Sequence, residues 1–293
     1  MITPSGVATV HLVMVGSEDG IGGAPVAVIP DASAIPIAAR QVLAARVGVD
    51  ETVFIDGATG DLLTIAAFRP SRRVQGHRGA ENGYIAAAWL HWAGQRAPLR
   101  PVRCRTPTGI VAIGLSADGV LCLRFPASGF QPAERTPSLG AVVDLLFEGG
   151  EPAADALVAS DNGSRYLLAA VDGAEQLAAI DGGRSILADY AAEAGLAGIY
   201  AYHSATDTSE ARLFGSGAAA PMPAVAALAQ RIHATHPDGL GPEAVSVRHH
   251  GASGQQGGCL LRADVRTDPD SGAPVAVDVG GYCHHAGTTS FSW

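Results

Sequence analysis

The chain has 293 residues, of which 47% are hydrophobic and 16% charged; its formal net charge is −9, and all 19 basic residues are arginine. This length fits two lobes of about 100–150 residues each. The scattered arginines argue against nucleic-acid binding. The absence of an 18-residue apolar run or a basic leader predicts a cytoplasmic protein without a membrane span. Because Schiff-base catalysis and the Walker A phosphate loop both need lysine, those mechanisms are excluded.

The first half of the chain alternates short strands with two helices. Apolar runs predict strands at Ala8–Val15 and Pro25–Ile29, and apolar residues at helical spacing predict a helix over Ile35–Val47. A pair of strands follows, with Leu62–Phe68 as the second. The stretch Gly83–Gly94 is apolar on nearly all sides, which is typical of a buried helix. Three further strands complete a curved, mainly antiparallel sheet around that helix.

The second half shows a faint repeat of the same pattern. Gly76 comes eight residues after Phe68 and precedes the first buried helix. Met222 comes eight residues after Phe214 and precedes a second apolar helix over Ala224–Ile232. A repeated strand, turn and buried helix predicts two similar lobes.

The predicted fold is therefore α+β, with two pseudo-symmetric lobes that each wrap a bent, mainly antiparallel sheet around a buried central helix. We expect an N-terminal lobe over residues 1–130 and a C-terminal lobe over 131–293, with a linker between Pro126 and Pro137. The last strands can return to the first lobe. The site is expected in the cleft between the lobes.

Two groups of residues have the chemistry of a site for a small acid. The start of a buried helix offers free N–H groups to a carboxylate, and Gly76-His77 adds close backbone approach and a proton-carrying side chain. Glu51 begins an apolar strand, where burial raises a carboxyl pKa into the range of a general acid or base. From the residues alone, an ordinary turn at Gly76-His77 and an exposed loop acid at Glu51 are the more common explanations of these features.

A set of short motifs, in order along nearly the whole chain, resembles the PhzF-like phenazine-biosynthesis isomerase family, which has the diaminopimelate-epimerase fold. The motifs are Gly23-Ala24-Pro25, Asp50-Glu51-Thr52-Val53-Phe54, Phe68-Arg69-Pro70, Gly76-His77, Thr108-Gly109, Gly198-Ile199-Tyr200-Ala201, Arg212-Leu213-Phe214, His250-Gly251 and Val279-Gly280-Gly281. The glutamate and Gly-His elements are fairly specific in combination, and neither is specific alone.

The resemblance implies a cofactor-independent isomerase, without a metal, in which Glu51 carries a proton between carbons of a small unsaturated acid and His77 assists. Gly76 and the helix start are expected to hold a substrate carboxylate, to which Arg72, Arg73 or Arg78 can add a charge-assisted hydrogen bond. Solvated loop arginines explain these three residues equally well. A homodimer is the family expectation. The setting is expected to be secondary metabolism, such as antibiotic biosynthesis from an alkyl-proline or pyrroline precursor.

The chain departs from the family in the second half of the site. The family's Glu-Asp-Pro and Thr-Gly-Ser elements are replaced by the stretch Gly217–Pro223, so an acidic residue is lost there. Met222 and Pro223 are then expected to contact the substrate, and Pro223 removes one N–H donor. Asp50 replaces the family's serine and is a hypothetical substitute for the lost acid, which Asp50→Asn would test.

Two other functions stay open. One is an epimerase on the same fold, and the other is a non-catalytic protein that binds a small acid. The histidine pairs His233-x-x-His236, His249-His250 and His284-His285 invite a metal interpretation, but without an HExxH or regular Cys/His pattern they are interpreted as surface or loop histidines.

Overall fold

The computed structural model divides the chain into two compact units, Met1–Arg124 with Gly280–Trp293, and Phe125–Val279. The protein is mixed α+β and mostly sheet. The residues that the structure describes are 6–74, 79–96, 98–132, 142, 157–161, 164–180, 184–204, 208–215, 221–235, 244–250 and 258–293.

Strands and helices alternate along both units. The strands are β1 (Val7–Val15), β2 (Ala24–Ile29), β3 (Glu51–Thr59), β4 (Leu62–Arg69), β5 (Arg72–Arg73), β6 (Val102–Thr106), β7 (Gly109–Leu115), β8 (Leu121–Pro126), β9 (Gly129–Pro132), β10 (Leu157–Asp161), β11 (Ser164–Ala170), β12 (Gly198–His203), β13 (Thr208–Phe214), β14 (Ala244–His250), β15 (Cys259–Thr267), β16 (Pro274–Gly280) and β17 (Cys283–Ser292). The helices are α1 (Ile37–Val47), α2 (Glu81–Gly94), α3 (Ala174–Ala179), α4 (Arg184–Glu193) and α5 (Pro221–Thr235).

The sheet of the first unit combines antiparallel and parallel pairs. β17, β1 and β2 pair antiparallel, β2 and β3 pair parallel, and β3 and β4 pair antiparallel. β4 then pairs parallel with β6, and β6, β7 and β8 are antiparallel. Parallel neighbours need a crossover connection. Helix α1 supplies it between β2 and β3, and α2 supplies it between β4 and β6.

Helix α2 is the buried helix that the sequence predicts. It packs on β1, β2, β3, β6 and β7, and its side chains from Glu81 through Ala88 are buried. Alanines at positions 86–88 let the helix lie close to the strands. The helix begins at Glu81, two residues before the predicted stretch Gly83–Gly94, so Gly76-His77 precedes the helix and does not open it. Its first-turn positions belong to Glu81, Asn82 and Gly83.

Helix α1 packs on β3 and β4 in the first unit, and Arg40 holds it in place. Pro36, which suits a helix start, precedes it, and Gly48 ends it with a φ of 75°. Arg40 donates to the carbonyls of Ile35 and Ala32 and forms a bidentate ion pair with Asp56. These bonds join the helix to β3.

In the second unit the strand pairs from β10 to β15 follow the order antiparallel, parallel, antiparallel, parallel and antiparallel. Helices α3 and α4 connect the parallel pair β11 and β12, and α5 connects β13 and β14. Helix α5 begins at Pro221 rather than at the predicted Ala224, because a proline in the first turn sacrifices no intrahelical bond. In the described part of the chain, none of the helices is long and apolar enough to cross a membrane.

Candidate active site

Glu51 is the central side chain of the candidate site. It is the first residue of β3, and only 5% of its surface is exposed. Its Oε2 atom accepts a hydrogen bond from the backbone N–H of Gly83, over 2.6 Å. Gly83 lies in the first turn of α2, where N–H groups lack an intrahelical partner. The start of the helix therefore holds the carboxyl group that the sequence singles out.

Gly83 is needed for this contact. A Cβ atom at Gly83 would lie 2.6 Å from Cγ2 of Val53 and 3.1 Å from Oε2 of Glu51. Real Cβ atoms do not approach another carbon that closely, so a side chain would push the helix away from β3. The absence of a side chain lets the backbone N–H reach the carboxyl group.

The surroundings of Glu51 favour its protonated form. Burial raises its pKa to about 8, and the charge of Glu81 acts in the same direction. Arg69 and the Gly83 hydrogen bond lower the pKa, and Asp50 adds a smaller increase. At neutral pH the group holds a proton, and a small rise in pH releases it. A proton carrier needs this property.

A second buried acid, Glu81, stands beside Glu51. Only 3% of Glu81 is exposed, and its Oε2 accepts the N–H of Gly79 over 2.8 Å. The carbonyl of Gly79 accepts two hydrogen bonds from Arg69, over 3.1 and 3.0 Å. The backbone of Gly79 therefore links Arg69, at the end of β4, to Glu81, at the start of α2. Gly79 has a φ of 86°, a conformation that favours glycine.

Further polar groups lie at the start of α2. Asn82 is 6% exposed, and its Oδ1 has no hydrogen-bond partner among the described residues. The hydroxyl of Thr52, next to Glu51, is also buried and unpaired within the described part. Burial and the charges of Glu81 and Glu51 raise the pKa of Tyr84, which stays protonated. The site therefore holds a proton carrier and polar groups that have no partner among the described residues.

The other predicted site residues are distributed as follows. Asp50 precedes β3 and is exposed, unlike its neighbour Glu51. Met222 and Pro223 lie buried in the first turn of α5, in the second unit. Gly76, His77 and Arg78 lie outside the described residues, so their roles stay predictions.

Sequence reasoning missed Glu81, Asn82 and Gly83 as site residues. The available signal was a short polar stretch directly before an apolar helix, with an acid at a position that suits a helix start. Arg69 was noted only as part of a motif. The buried position of these side chains depends on the sheet around α2, which the local pattern does not contain.

Comparison with known proteins identifies the fold of the chain and does not establish its activity. No family model matches the chain, and no curated protein matches it in sequence. A PhzF-family phenazine biosynthesis protein from Bacillus anthracis is 16% identical, with a TM-score of 0.75, covering 98% of this chain and 99% of that one. A PhzC/PhzF phenazine biosynthesis protein from Clostridium difficile is 16% identical, with a TM-score of 0.74 and coverage of 96% and 98%.

A third similar structure, described as a predicted epimerase from Pseudomonas aeruginosa, is 18% identical, with a TM-score of 0.64 and coverage of 97% of this chain and 99% of that one. The resemblance drawn from the sequence motifs is confirmed at the level of the fold. At such low identity, the activity has to be argued from the residues of this chain.

Proposed function

We propose that this protein is a cofactor-independent, PhzF-like isomerase that moves a proton, and with it a double bond, on a small unsaturated amino or carboxylic acid. The observation that carries the proposal is the Glu51 carboxyl group, which is buried, accepts a hydrogen bond from the N–H of Gly83 and has a pKa raised to about 8. Both protonation states of such a group are populated close to neutral pH, so it can accept a proton and return it.

The proposed reaction needs only one carboxyl group to balance. The Glu51 carboxylate takes a proton from a carbon that an adjacent unsaturated group makes acidic. The electrons of that C–H bond form a new double bond, and the existing double bond shifts along the chain. Protonated Glu51, once its proton has exchanged with solvent, then protonates the far carbon, and no electrons leave the substrate.

We infer that Glu81, and not Asp50, is the acid that accompanies Glu51. Glu81 is buried in the first turn of α2 and raises the pKa of Glu51 more strongly than Asp50 does. Asp50 is exposed to solvent, which screens its charge. Glu81 is thus a positioning residue that keeps the proton on Glu51 at neutral pH.

The Oδ1 atom of Asn82, which has no partner among the described residues, favours an amino acid over a plain carboxylic acid as substrate. A buried carbonyl oxygen without a partner costs free energy, which a substrate N–H would recover on binding. Glu81 adds negative charge beside it, which also favours an amine. An alkyl-proline or pyrroline precursor fits this chemistry.

The order of strand pairs supports the proposal that the two units are duplicated lobes. Both follow the same order of antiparallel and parallel pairs, and in both a helix connects the second parallel pair. Helix α5 is then the counterpart of α2, and its first turn carries Met222 and Pro223. Their contact with substrate stays a prediction, as does the homodimer, which light scattering on the purified protein would test.

Proton transfer can be followed directly in heavy water. The protein is incubated with small unsaturated amino acids and their deaminated analogues, and deuterium uptake is measured by mass spectrometry. We expect uptake with a shifted double bond, and its loss in Glu51→Gln, which keeps the shape of the side chain. Uptake that persists in that variant would overturn the proposal.

The matched control is Asp50→Asn, which changes the neighbouring exposed acid. Full activity in this variant rejects Asp50 as the replacement acid, and loss of activity rejects our assignment of that role to Glu81.

Deuterium at an inverted carbon without a shifted double bond would identify an epimerase instead. A thermal shift with these ligands but no uptake would identify a binding protein.

A further inference from the structure

Two histidines and a threonine lie together where β1 pairs with β17, and none of the three is a residue of the candidate site. His11 stands directly opposite Thr288 in the register. Nδ1 of His11 is 3.4 Å from Nε2 of His285, and Oγ1 of Thr288 is 3.3 Å from the first nitrogen and 3.2 Å from the second. Three atoms with lone pairs therefore form a nearly equilateral triangle.

An irregularity in β17 creates this arrangement. Leu12 pairs with Gly287 and Val13 pairs with His285, so Ala286 is an extra residue on one strand. Side chains alternate between the two faces of a regular strand, and positions 285 and 288 would then face opposite sides. The bulge restores both to one face. It thereby brings the second imidazole next to the first.

The size of the triangle matches one metal geometry. Tetrahedral zinc with ligands at about 2.0–2.1 Å separates them by about 3.3 Å. Adjacent ligands of square-planar copper(II) at about 2.0 Å lie closer together, at about 2.8 Å. The three observed separations span 3.2–3.4 Å. They fit the tetrahedral arrangement and are too long for the planar one.

We propose that His11, His285 and Thr288 form three corners of a tetrahedral site for a divalent zinc ion, with water at the fourth. His11 would bind through Nδ1 and His285 through Nε2, so the proton of each ring moves to its other nitrogen. No group of three or more His, Cys, Asp or Glu side chains suited to a metal occurs among the described residues. The two imidazoles supply most of the affinity, and the hydroxyl is the weakest ligand.

Such an ion would join the two ends of the chain. β1 lies near the N-terminus and β17 near the C-terminus, and they pair along their length in the first unit. The ligands come from both strands, so the site forms only when the strands are paired. Zinc is therefore expected to raise the unfolding temperature of the protein. This effect is independent of the proposed isomerase activity.

The test is a titration of the full chain, without a histidine tag, by calorimetry with zinc chloride and by visible absorption with cobalt(II). We expect one ion per chain and the intense absorption of tetrahedral cobalt. His11→Gln and His285→Gln should each weaken binding at least about 10-fold, with circular dichroism confirming that both variants fold. Thr288→Val should weaken it less.

The matched control is His284→Gln. His284 is exposed, and it is next to His285 on the same strand but faces the opposite side of the sheet. This variant should bind zinc as the native chain does. The proposal is overturned if the native chain binds no zinc, if His284→Gln weakens binding as much as His285→Gln, or if the cobalt complex is octahedral.

Discussion

Replacing Glu51 with glutamine should stabilise the protein, and increasingly so as the pH rises. Burial raises the pKa of Glu51 from 4.5 to about 8. The folded state therefore binds this proton more tightly than the unfolded state does. The free energy of unfolding must fall as the pH rises from 4.5 to 8. Glutamine has the shape of the protonated acid and does not titrate, so the variant escapes this loss.

The size of the effect follows from the pKa of Glu51. Each pH unit between the unfolded and folded values changes the free energy of unfolding by about 1.4 kcal/mol. The advantage of Glu51→Gln should be small at pH 5, reach about 4 kcal/mol at pH 8 and stay constant above that. An active-site group that lowers stability in this way is a cost that function commonly imposes.

Tryptophan fluorescence during urea unfolding is the appropriate assay. The three tryptophans, Trp89, Trp92 and Trp293, all belong to the first unit, as Glu51 does. Their signal therefore reports the unit that the substitution changes. Asp50→Asn, at the neighbouring exposed acid, should not reproduce the pH dependence. If the curves for Glu51→Gln and the native chain stay parallel from pH 5 to pH 8, Glu51 is not a buried, protonated acid.

Three further substitutions test other parts of the structure. Gly83→Ala should cost about 2 kcal/mol of stability and abolish turnover, because its Cβ would lie 2.6 Å from Cγ2 of Val53. Gly94→Ala on the same helix meets open space and should be neutral. Urea unfolding measures the stability of both variants, and the heavy-water assay measures their turnover. Arg40→Met should cost about 3 kcal/mol in urea unfolding, because it leaves the half-buried carboxylate of Asp56 and two carbonyls in buried hydrogen bonds without their donor. Burial lowers the pKa of His249 to about 4, so the free energy of unfolding of the native chain should fall by about 3 kcal/mol as the pH falls from 6.5 to 4. His249→Phe should remove this loss, measured by circular dichroism during urea unfolding.

The regular elements could be predicted because their apolar residues recur at the spacing of the structure they form. β1 and α1 differ from the predictions by one or two residues at their starts. β17 was missed for a physical reason. Its sequence Cys-His-His-Ala-Gly-Thr-Thr-Ser-Phe-Ser is mostly polar, and most of its side chains are exposed. Pairing with β1 holds this strand in place, and that partner lies at the other end of the sequence.

Glu51 could be predicted as a site residue from the sequence, whereas the site residues at the start of α2 could not. Glu51 stood out because an acid began an apolar strand and matched a motif. The apolar stretch predicted α2 only from Gly83, two residues too late, because the polar Glu81 and Asn82 do not look buried. Only the packing of α2 on the surrounding strands shows that these two side chains are enclosed.

The interaction between Glu81 and Glu51 gives the strongest kinetic test of the proposed site. Like charges disfavour ionisation, so Glu81→Gln should lower the pKa of Glu51. If the Glu51 carboxylate starts the reaction, the acidic limb of kcat/KM against pH must move to lower pH by the same amount. A role in packing alone would lower the whole profile without moving the limb. Asp50→Asn should leave the limb almost in place, because solvent screens that neighbour. An unmoved limb in Glu81→Gln would show that Glu81 does not set the protonation of Glu51.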